Sequence, residues 1–478
     1  MIKILNFING EFQQSSNGLW LDNVNPATGK TFSQISSSSE VDVKRAVDAA
    51  EKAFPIWSQK TIEEKKSYFE KIIKLMQENF AELAIAETMD TGKPISISKT
   101  VDIPRAIKNL EFYMSAIEQW SSEAHVMNGQ AINYTLREPL GVVCCISPWN
   151  LPLYLLTWKI APALLTGNTV VAKPSEVTPY TAFLFAQICQ KAGLPPGVLN
   201  IIHGTGKEAG EPIILDPRVK ALSFTGSTKT GRLLGNIAAS KMIKYSLEMG
   251  GKNPTIIFES CDLEKAVSLA ARAAFSNQGQ ICLCGSRILV ARKIFEVFKQ
   301  KLIKKIEQIK IGDPLDEKNH FSALVSPGHY QKVLSYIELA KSEGGKILTG
   351  GSPLKIAGLD GYFIAPTLIE NLGPNCRTNQ EEIFGPVATL MPFDTEEEAV
   401  ELANATDFGL SASLCTNDLG QAQRVSQKIK CGIIWINSWM VRDLRTPFGG
   451  MKDSGVGREG GNYALSFFTE TKNVCMSY

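Results

Sequence analysis

Apolar positions along the chain change their period near residue 140. Before it they recur three and four apart. Ala46, Val47, Ala50 and Phe54 follow Glu40-Val41-Asp42-Val43, and Phe69, Ile72, Ile73, Leu75 and Met76 follow Thr61 and Glu63-Glu64. That spacing predicts amphipathic helices across 40–122, with Thr61 opening the second. Pro104 starts or kinks a third, which carries Arg105, Leu110, Phe112 and Ile117. Beyond 140, short unbroken apolar runs take over, at Gly141–Ile146, Thr169–Ala172, Val198–Ile202 and Ala221–Phe224. Such runs suit strands buried on both faces of a parallel sheet. Helical stretches over Tyr180–Ala192 and from about Lys229 alternate with them, which predicts a doubly wound α/β arrangement.

A second alternating region begins at Pro254–Phe258. It continues through Ile288–Val290, a Lys-rich helix over 294–310, and strands near 388–392 and 432–436. The expected architecture is therefore α/β, with two doubly wound domains: one from 1–124 and 141–250, the other from 251–450. Residues 125–140 predict a hairpin arm. Asn473-Val474-Cys475-Met476 predicts a terminal strand within a C-terminal segment, 451–478. Arm and segment both suit contact between subunits.

Length agrees, since 478 residues exceed what one hydrophobic core usually holds. Residues 140–172 carry one charge, Lys159, yet Pro148, Asn150, Pro152 and Pro162 interrupt them. Buried strand and loop is the expectation there, not a membrane span. The net charge of +2 gives no electrostatic reason to expect a nucleic acid or an anionic membrane as partner. Asn6, Asn9 and Glu11 break the N-terminal apolar run, so it reads as folded protein, not a secretory leader. Ten cysteines without a C-x-x-C pair suit a reduced cytoplasmic chain. The four histidines are scattered, and nothing has zinc-ligand spacing.

Glycine-rich turns follow several predicted strands. Gly204-Thr205-Gly206-Lys207-Glu208-Ala209-Gly210 has one residue too many for the dinucleotide fingerprint, and a plain turn explains it equally. Phe224-Thr225-Gly226-Ser227-Thr228-Lys229-Thr230-Gly231 passes from strand to helix, where free N–H groups attract a pyrophosphate; the bland alternative is a Ser/Thr cap. Lys173-Pro174-Ser175-Glu176 follows a strand end. Lys173 and Glu176 there suit ribose hydroxyls, and a carboxylate disfavours a 2′-phosphate. Cys282, after Gln278-Gly279-Gln280-Ile281, is a candidate nucleophile, although most cysteines are small core residues. Glu248 sits before Gly250-Gly251, and Asn150 ends the rigid Ser147-Pro148-Trp149 turn.

These elements occur together in one order. Pro148-Trp149-Asn150, Lys173-Pro174-Ser175-Glu176, Phe224-Thr225-Gly226-Ser227, Glu248-Met249-Gly250-Gly251-Lys252, Gln278-Gly279-Gln280-Ile281-Cys282, Glu382-Ile383-Phe384-Gly385-Pro386-Val387 and Pro447-Phe448-Gly449-Gly450 resemble the motifs of the aldehyde dehydrogenase superfamily. The resemblance spans essentially the whole chain. Met249 departs from the commoner Leu, a volume-conserving change. The resemblance implies an NAD-dependent enzyme that oxidises an aldehyde to an acid. Cys282 would be the nucleophile, Asn150 an oxyanion donor and Glu248 the base that hydrolyses a thioester. Ile146, Pro148, Trp149, Lys173, Ser175, Glu176, Gly206, Gly210, Phe224, Gly226, Ser227, Gly231, Glu382 and Phe384 would line the NAD site. A homodimer or homotetramer is also implied.

Within the superfamily, three segments resemble the 2-aminomuconate and 2-hydroxymuconate semialdehyde dehydrogenases. They are 147–159, Asp102-Ile103-Pro104-Arg105, and Trp439-Met440-Val441-Arg442-Asp443-Leu444-Arg445. Those substrates carry a carboxylate away from the aldehyde, and an arginine fork suits it. Arg105 and Arg442 are the expected clamp, with Arg445 a third candidate. Betaine aldehyde, aliphatic aldehydes and a non-redox cysteine esterase are the alternative readings.

Overall fold

Strand pairing in the computed structural model, which describes residues 1–478, separates two large sheets. The first runs in the order Gly455–Val456, Lys244–Glu248, Val219–Thr225, Val142–Ile146, Thr169–Lys173, Leu199–Ile201, Asn6–Ile8 and Glu11–Gln13. The strands from Lys244–Glu248 to Leu199–Ile201 are parallel, and the edges are antiparallel. Their aliphatic runs follow from coverage on both faces. Val143 and Cys145 enter one core with the helices Pro152–Leu165 and Tyr180–Lys191. Val142 and Cys144 enter the opposite core with Glu40–Ser58 and Thr228–Ser240. Alternate side chains thus serve different layers.

The second sheet orders Lys346–Thr349, Thr367–Glu370, Val387–Phe393, Arg287–Ala291, Pro254–Ile257, Ser411–Cys415 and Ile433–Ile436. All but the first are parallel. A separate antiparallel sheet joins Ala124–Met127, Ala131–Pro139 and the terminal strand Thr469–Ser477. Val126 and Met127 stand exposed on it. No helix is long and apolar enough to cross a membrane.

Helix starts follow the local sequence. Thr61 caps Ile62–Glu78 by accepting from the Glu64 N–H at 3.2 Å, and the Glu64 carboxylate returns to the Thr61 N–H at 2.8 Å. Pro104 lies in the first turn of Ile103–Glu118, after a π-helical turn at Ser98–Asp102.

Two features differ from expectation, and between them lies one for which the sequence set none. Residues 152–165 are helix, not loop. Every residue of that helix is buried, so it has no polar face to give a helical period, and Pro152 sits harmlessly in its first turn. The first 36 residues supply strands: Ile2–Ile4 pairs with Lys30–Ser36, which pairs with Trp20–Asn25. The segment 451–478 does not act as one unit. Gly455–Val456 edges the first sheet, Gly461–Phe467 packs its Leu465 into the first core, and Thr469–Ser477 joins the arm.

Candidate active site

Parallel strands end together, so residues far apart in sequence meet. Ile146 lies opposite Lys173 and Phe224, and Thr225 lies opposite Glu248. The loops leaving these ends bring Pro148, Trp149, Asn150, Gly226, Ser227 and Glu248 to a cavity of about 200 Å³. Across it stand Cys282, Glu382 and Phe384, carried by loops of the second sheet.

The loop carrying Cys282 begins where Leu263–Phe275 ends. Asn277, Gln278 and Gly279 then take three successive left-handed conformations, with φ of 50°, 55° and 71°. Only the glycine does so freely, and each of the other two costs roughly 1–3 kcal/mol. The surroundings hold the turn. Asn277 Nδ2 donates to the Asn150 and Gln280 carbonyls, both at 3.2 Å, and Gln278 Nε2 donates to Ala323 O at 3.2 Å. Gln280 Oε1 accepts from the Val325 N–H at 3.1 Å. Asn150 Nδ2 donates to Gln280 O at 2.9 Å, which joins the amide loop to the cysteine loop. Cys282 is thereby fixed yet half-buried at the cavity.

Burial disfavours charge on both the thiol and the acids of the site. Burial, then the Glu382 and Glu248 carboxylates, push the Cys282 thiol up. Burial and the Glu459 charge raise Glu248 well above the usual carboxylate range. Both Glu248 oxygens lack a hydrogen-bond partner. Glu459 itself is paired with buried Lys159 at 2.6 Å. An added Cβ at Gly449 would sit 2.8 Å from Glu248 Oε1, and one at Gly250 would overlap the Glu382 carboxylate. These glycines therefore leave room for the two acids.

The residues expected to hold a dinucleotide lie on and beside the first sheet's strand ends. Lys173 Nζ meets Glu176 Oε2 at 2.7 Å, and buried Ser175 turns the chain between them by accepting from the Val177 N–H. Ser227 caps Thr228–Ser240 by accepting from the Thr230 N–H. Thr225 Oγ1, beside it on the cavity wall, is buried without a partner. Glu382 Oε1 accepts from the Gly251 N–H at 2.9 Å. Gly206 opens the π-helical turn Gly206–Gly210 and is exposed, while Gly210 at its end is buried near Lys173 and Ile146. Ile146, Lys173, Ser175, Glu176, Gly206 and Gly210 lie outside the lining of this cavity, and so do Phe224 and Gly231. The Phe224 ring is buried in the core, and a Cβ at Gly231 would overlap Met249, so both pack the helix instead of facing the cavity.

Two residues escaped the sequence reading. His329 and Lys332, one turn apart on Pro327–Ser342, both line the cavity. Burial lowers His329 to about 4, so its ring is neutral and its Nε2 donates to Phe384 O at 2.7 Å. That bond steadies Phe384 at φ 62°, with its ring edge-on to Trp149 at 5.1 Å. The turn-by-turn spacing of His329 and Lys332 was the only signal available.

A second cavity, about 600 Å³, opens beyond the Asn150–Leu151 and Ile281–Cys282 links. Arg105 and Arg442 line it, on either side of Tyr154. Their partners are neutral. Arg105 Nε donates to Asn109 Oδ1 at 2.9 Å, and its Nη2 is buried without a partner. Arg442 Nη1 donates to the Tyr154 hydroxyl at 3.1 Å. Arg445 is not brought there. Its side chain is 81% exposed and is captured by Asp443 at 2.6 Å, so it is removed from the clamp.

Comparison with known proteins gives one family. The aldehyde dehydrogenase family model matches residues 12–474. The chain is 45% identical to the 2-aminomuconic semialdehyde dehydrogenase of Danio rerio, over 99% of this chain and 98% of that protein. It is 43% identical to the 2-hydroxymuconic semialdehyde dehydrogenase of Pseudomonas sp. (strain CF600), over 100% of both. The betaine aldehyde dehydrogenase of Staphylococcus aureus, solved in complex with NAD+, superposes with a TM-score of 0.96 at 37% identity, covering 99% of this chain and 95% of that one.

Proposed function

The chain belongs to the aldehyde dehydrogenase family, and from that membership we propose that it oxidises a carboxylate-bearing semialdehyde with NAD. The favoured substrate is 2-aminomuconate 6-semialdehyde, with its 2-hydroxy counterpart as the second candidate. The observation that carries the substrate class is the pair Arg105 and Arg442. Two guanidinium groups face one cavity, neither has an ion-pair partner, and the acid that also lines it, Asp102, is taken by Lys93. A buried cation without a counter-charge is unfavourable, and a substrate carboxylate supplies what the fold omits.

Chemistry proceeds on Cys282. Its sulfur adds to the aldehyde carbon as the thiol proton passes to solvent water. The Asn150 amide and the Cys282 backbone N–H hold the resulting oxyanion. NAD, when bound, supplies the acceptor for the hydride and so makes the reaction an oxidation. Lys173, Ser175, Glu176, Ser227 and Glu382 are the residues that suit it, and Glu176 disfavours a 2′-phosphate. Glu248, as carboxylate, takes a proton from water. The hydroxide adds to the Cys282 thioester, the C–S bond breaks, and acid and thiol are released.

The three-stranded arm, with Val126 and Met127 exposed, supports assembly of copies as a homodimer or homotetramer. Ten free cysteines support a reducing, cytoplasmic setting. Steady-state kinetics across both muconic semialdehydes, a long aliphatic aldehyde and betaine aldehyde test the proposal. The highest kcat/KM belongs to a muconic semialdehyde; a preference for betaine aldehyde, a cation, defeats it.

A further inference from the structure

The backbone carbonyl of Asn150 is where three separate segments meet. Lys93 Nζ donates to it at 3.0 Å and Asn277 Nδ2 at 3.2 Å. Lys93 follows the helix Phe80–Thr91, just past its left-handed Gly92 cap. Its side chain is fully buried, 2.6 Å from Asp102 Oδ2 and 3.7 Å from Glu87 Oε1. Glu87 in turn accepts from Thr181 Oγ1 at 2.9 Å.

Packing alone does not call for such a cluster. Well-packed apolar residues commonly replace a buried ion pair with no loss of stability. Burial pushes Glu87 up to about 7 and raises Asp102 as well. What a lysine adds, and an apolar side chain lacks, is a charged donor aimed at one carbonyl. Charge-assisted bonds are roughly twice as strong as neutral ones.

That bond fixes Asn150 at its main-chain end. The Gln280 carbonyl fixes the side-chain end, taking one of the two amide hydrogens at 2.9 Å. The second hydrogen is left for the cavity, with its direction set from both ends. Asp102 also precedes Arg105 by three residues, at the head of Ile103–Glu118. One ammonium therefore ties the amide loop to the helix that carries a substrate arginine.

We infer that Lys93 is a positioning residue for aldehyde oxidation: it holds the Asn150 backbone so that the side-chain amide meets the oxyanion formed on Cys282. The inference rests on the reading of Asn150 as oxyanion donor. A double-mutant cycle separates the two. Lys93→Met, Asn150→Ala and the double variant are compared in kcat and kcat/KM, with NAD affinity titrated by protein fluorescence. Lys93→Met lowers kcat by about 10- to 100-fold, because a small misplacement of a catalytic group has effects of that order. NAD affinity is unchanged, and the double variant is no slower than Asn150→Ala, since nothing is left to position. An unchanged kcat in Lys93→Met, or losses that multiply in the double variant, overturns the role of Lys93. Full activity in Asn150→Ala overturns the oxyanion reading itself. If Lys93→Met does not fold, Asp102→Asn takes its place in the cycle, keeping the ammonium but neutralising the partner that aims it. The same non-additivity with Asn150→Ala is expected, and multiplied losses again overturn the inference.

Discussion

Arg442 Nη1 donates to the Tyr154 hydroxyl, and the ring of that tyrosine lies 4.8 Å from the guanidinium carbon of Arg105. Tyr154 thus spaces two like charges across one cavity. Burial, with added repulsion from Arg442, holds Arg105 below its ordinary basicity. Each guanidinium is stacked on aromatic rings as well: Arg442 lies 4.0 Å from the Phe448 centroid, and Arg105 5.4 Å from Trp158. Their planes are therefore set before substrate arrives.

Arg105→Ala and Arg442→Ala should each raise KM for a muconic semialdehyde by about 1.5–3 kcal/mol, roughly 10- to 150-fold. A neutral aldehyde of similar size should be nearly unaffected. Parallel kinetics on the two substrates check this, and equal losses on both contradict a carboxylate clamp. Arg445→Ala is expected to leave both unchanged, because that side chain already belongs to Asp443.

The pH dependence follows from Glu248. Burial, and after it the Glu459 charge, raises its acid well above 4.5. Hydrolysis of the thioester needs the carboxylate. The deacylation rate therefore climbs as pH rises through the elevated value and falls on acidification. Glu248→Gln removes the climb and slows turnover by about 10²–10⁴-fold, leaving a burst of NADH in stopped flow. A wild-type deacylation rate that does not rise with pH contradicts this.

Glu176 is the cofactor prediction. Its carboxylate, half-exposed beside Lys173, repels a 2′-phosphate. Glu176→Ser should shift the ratio of kcat/KM values toward NADP by about tenfold, or ~1.4 kcal/mol. An unchanged ratio removes Glu176 from cofactor selection.

Away from the chemistry, Arg287 fastens the second sheet. Fully buried, it donates to the carbonyls of Lys252 at 2.8 Å, Leu402 at 2.6 Å and Ala403 at 2.8 Å. Arg287→Met strands the buried Lys252 and Ala403 carbonyls, while Leu402 O keeps the Ala405 N–H, and should lower stability by roughly 2 kcal/mol or more. Differential scanning calorimetry reads this as a lower midpoint; an unaltered midpoint refutes it.

Much of this was legible in sequence, for identifiable reasons. Strands such as Val142–Ile146 and Arg287–Ala291 are buried on both faces, so they stand out as aliphatic runs. The glycine-flanked Glu248 and Cys282 were visible because sharp turns leave local marks. Pro152–Leu165 was not, since burial on every side erases a helical period. Ile2–Ile4 and Lys30–Ser36 are short, and what makes them strands is each other, across a gap no local window spans. Nothing local in the sequence singles out Lys93; only the fold brings Asp102 and the Asn150 carbonyl to it. Arg442 and Arg445 are neighbours in sequence, yet one faces the cavity and the other is taken by Asp443.

The most direct test of the central claim is the intact mass of Glu248→Gln mixed with NAD and 2-aminomuconate 6-semialdehyde. Without its base, the enzyme should accumulate the acyl group as a thioester. The added mass should map to the peptide holding Cys282, vanish in Cys282→Ala, and appear only when NAD is present. No adduct, an adduct on Cys284, or acylation without NAD would contradict a Cys282-centred oxidation of a carboxylate-bearing aldehyde.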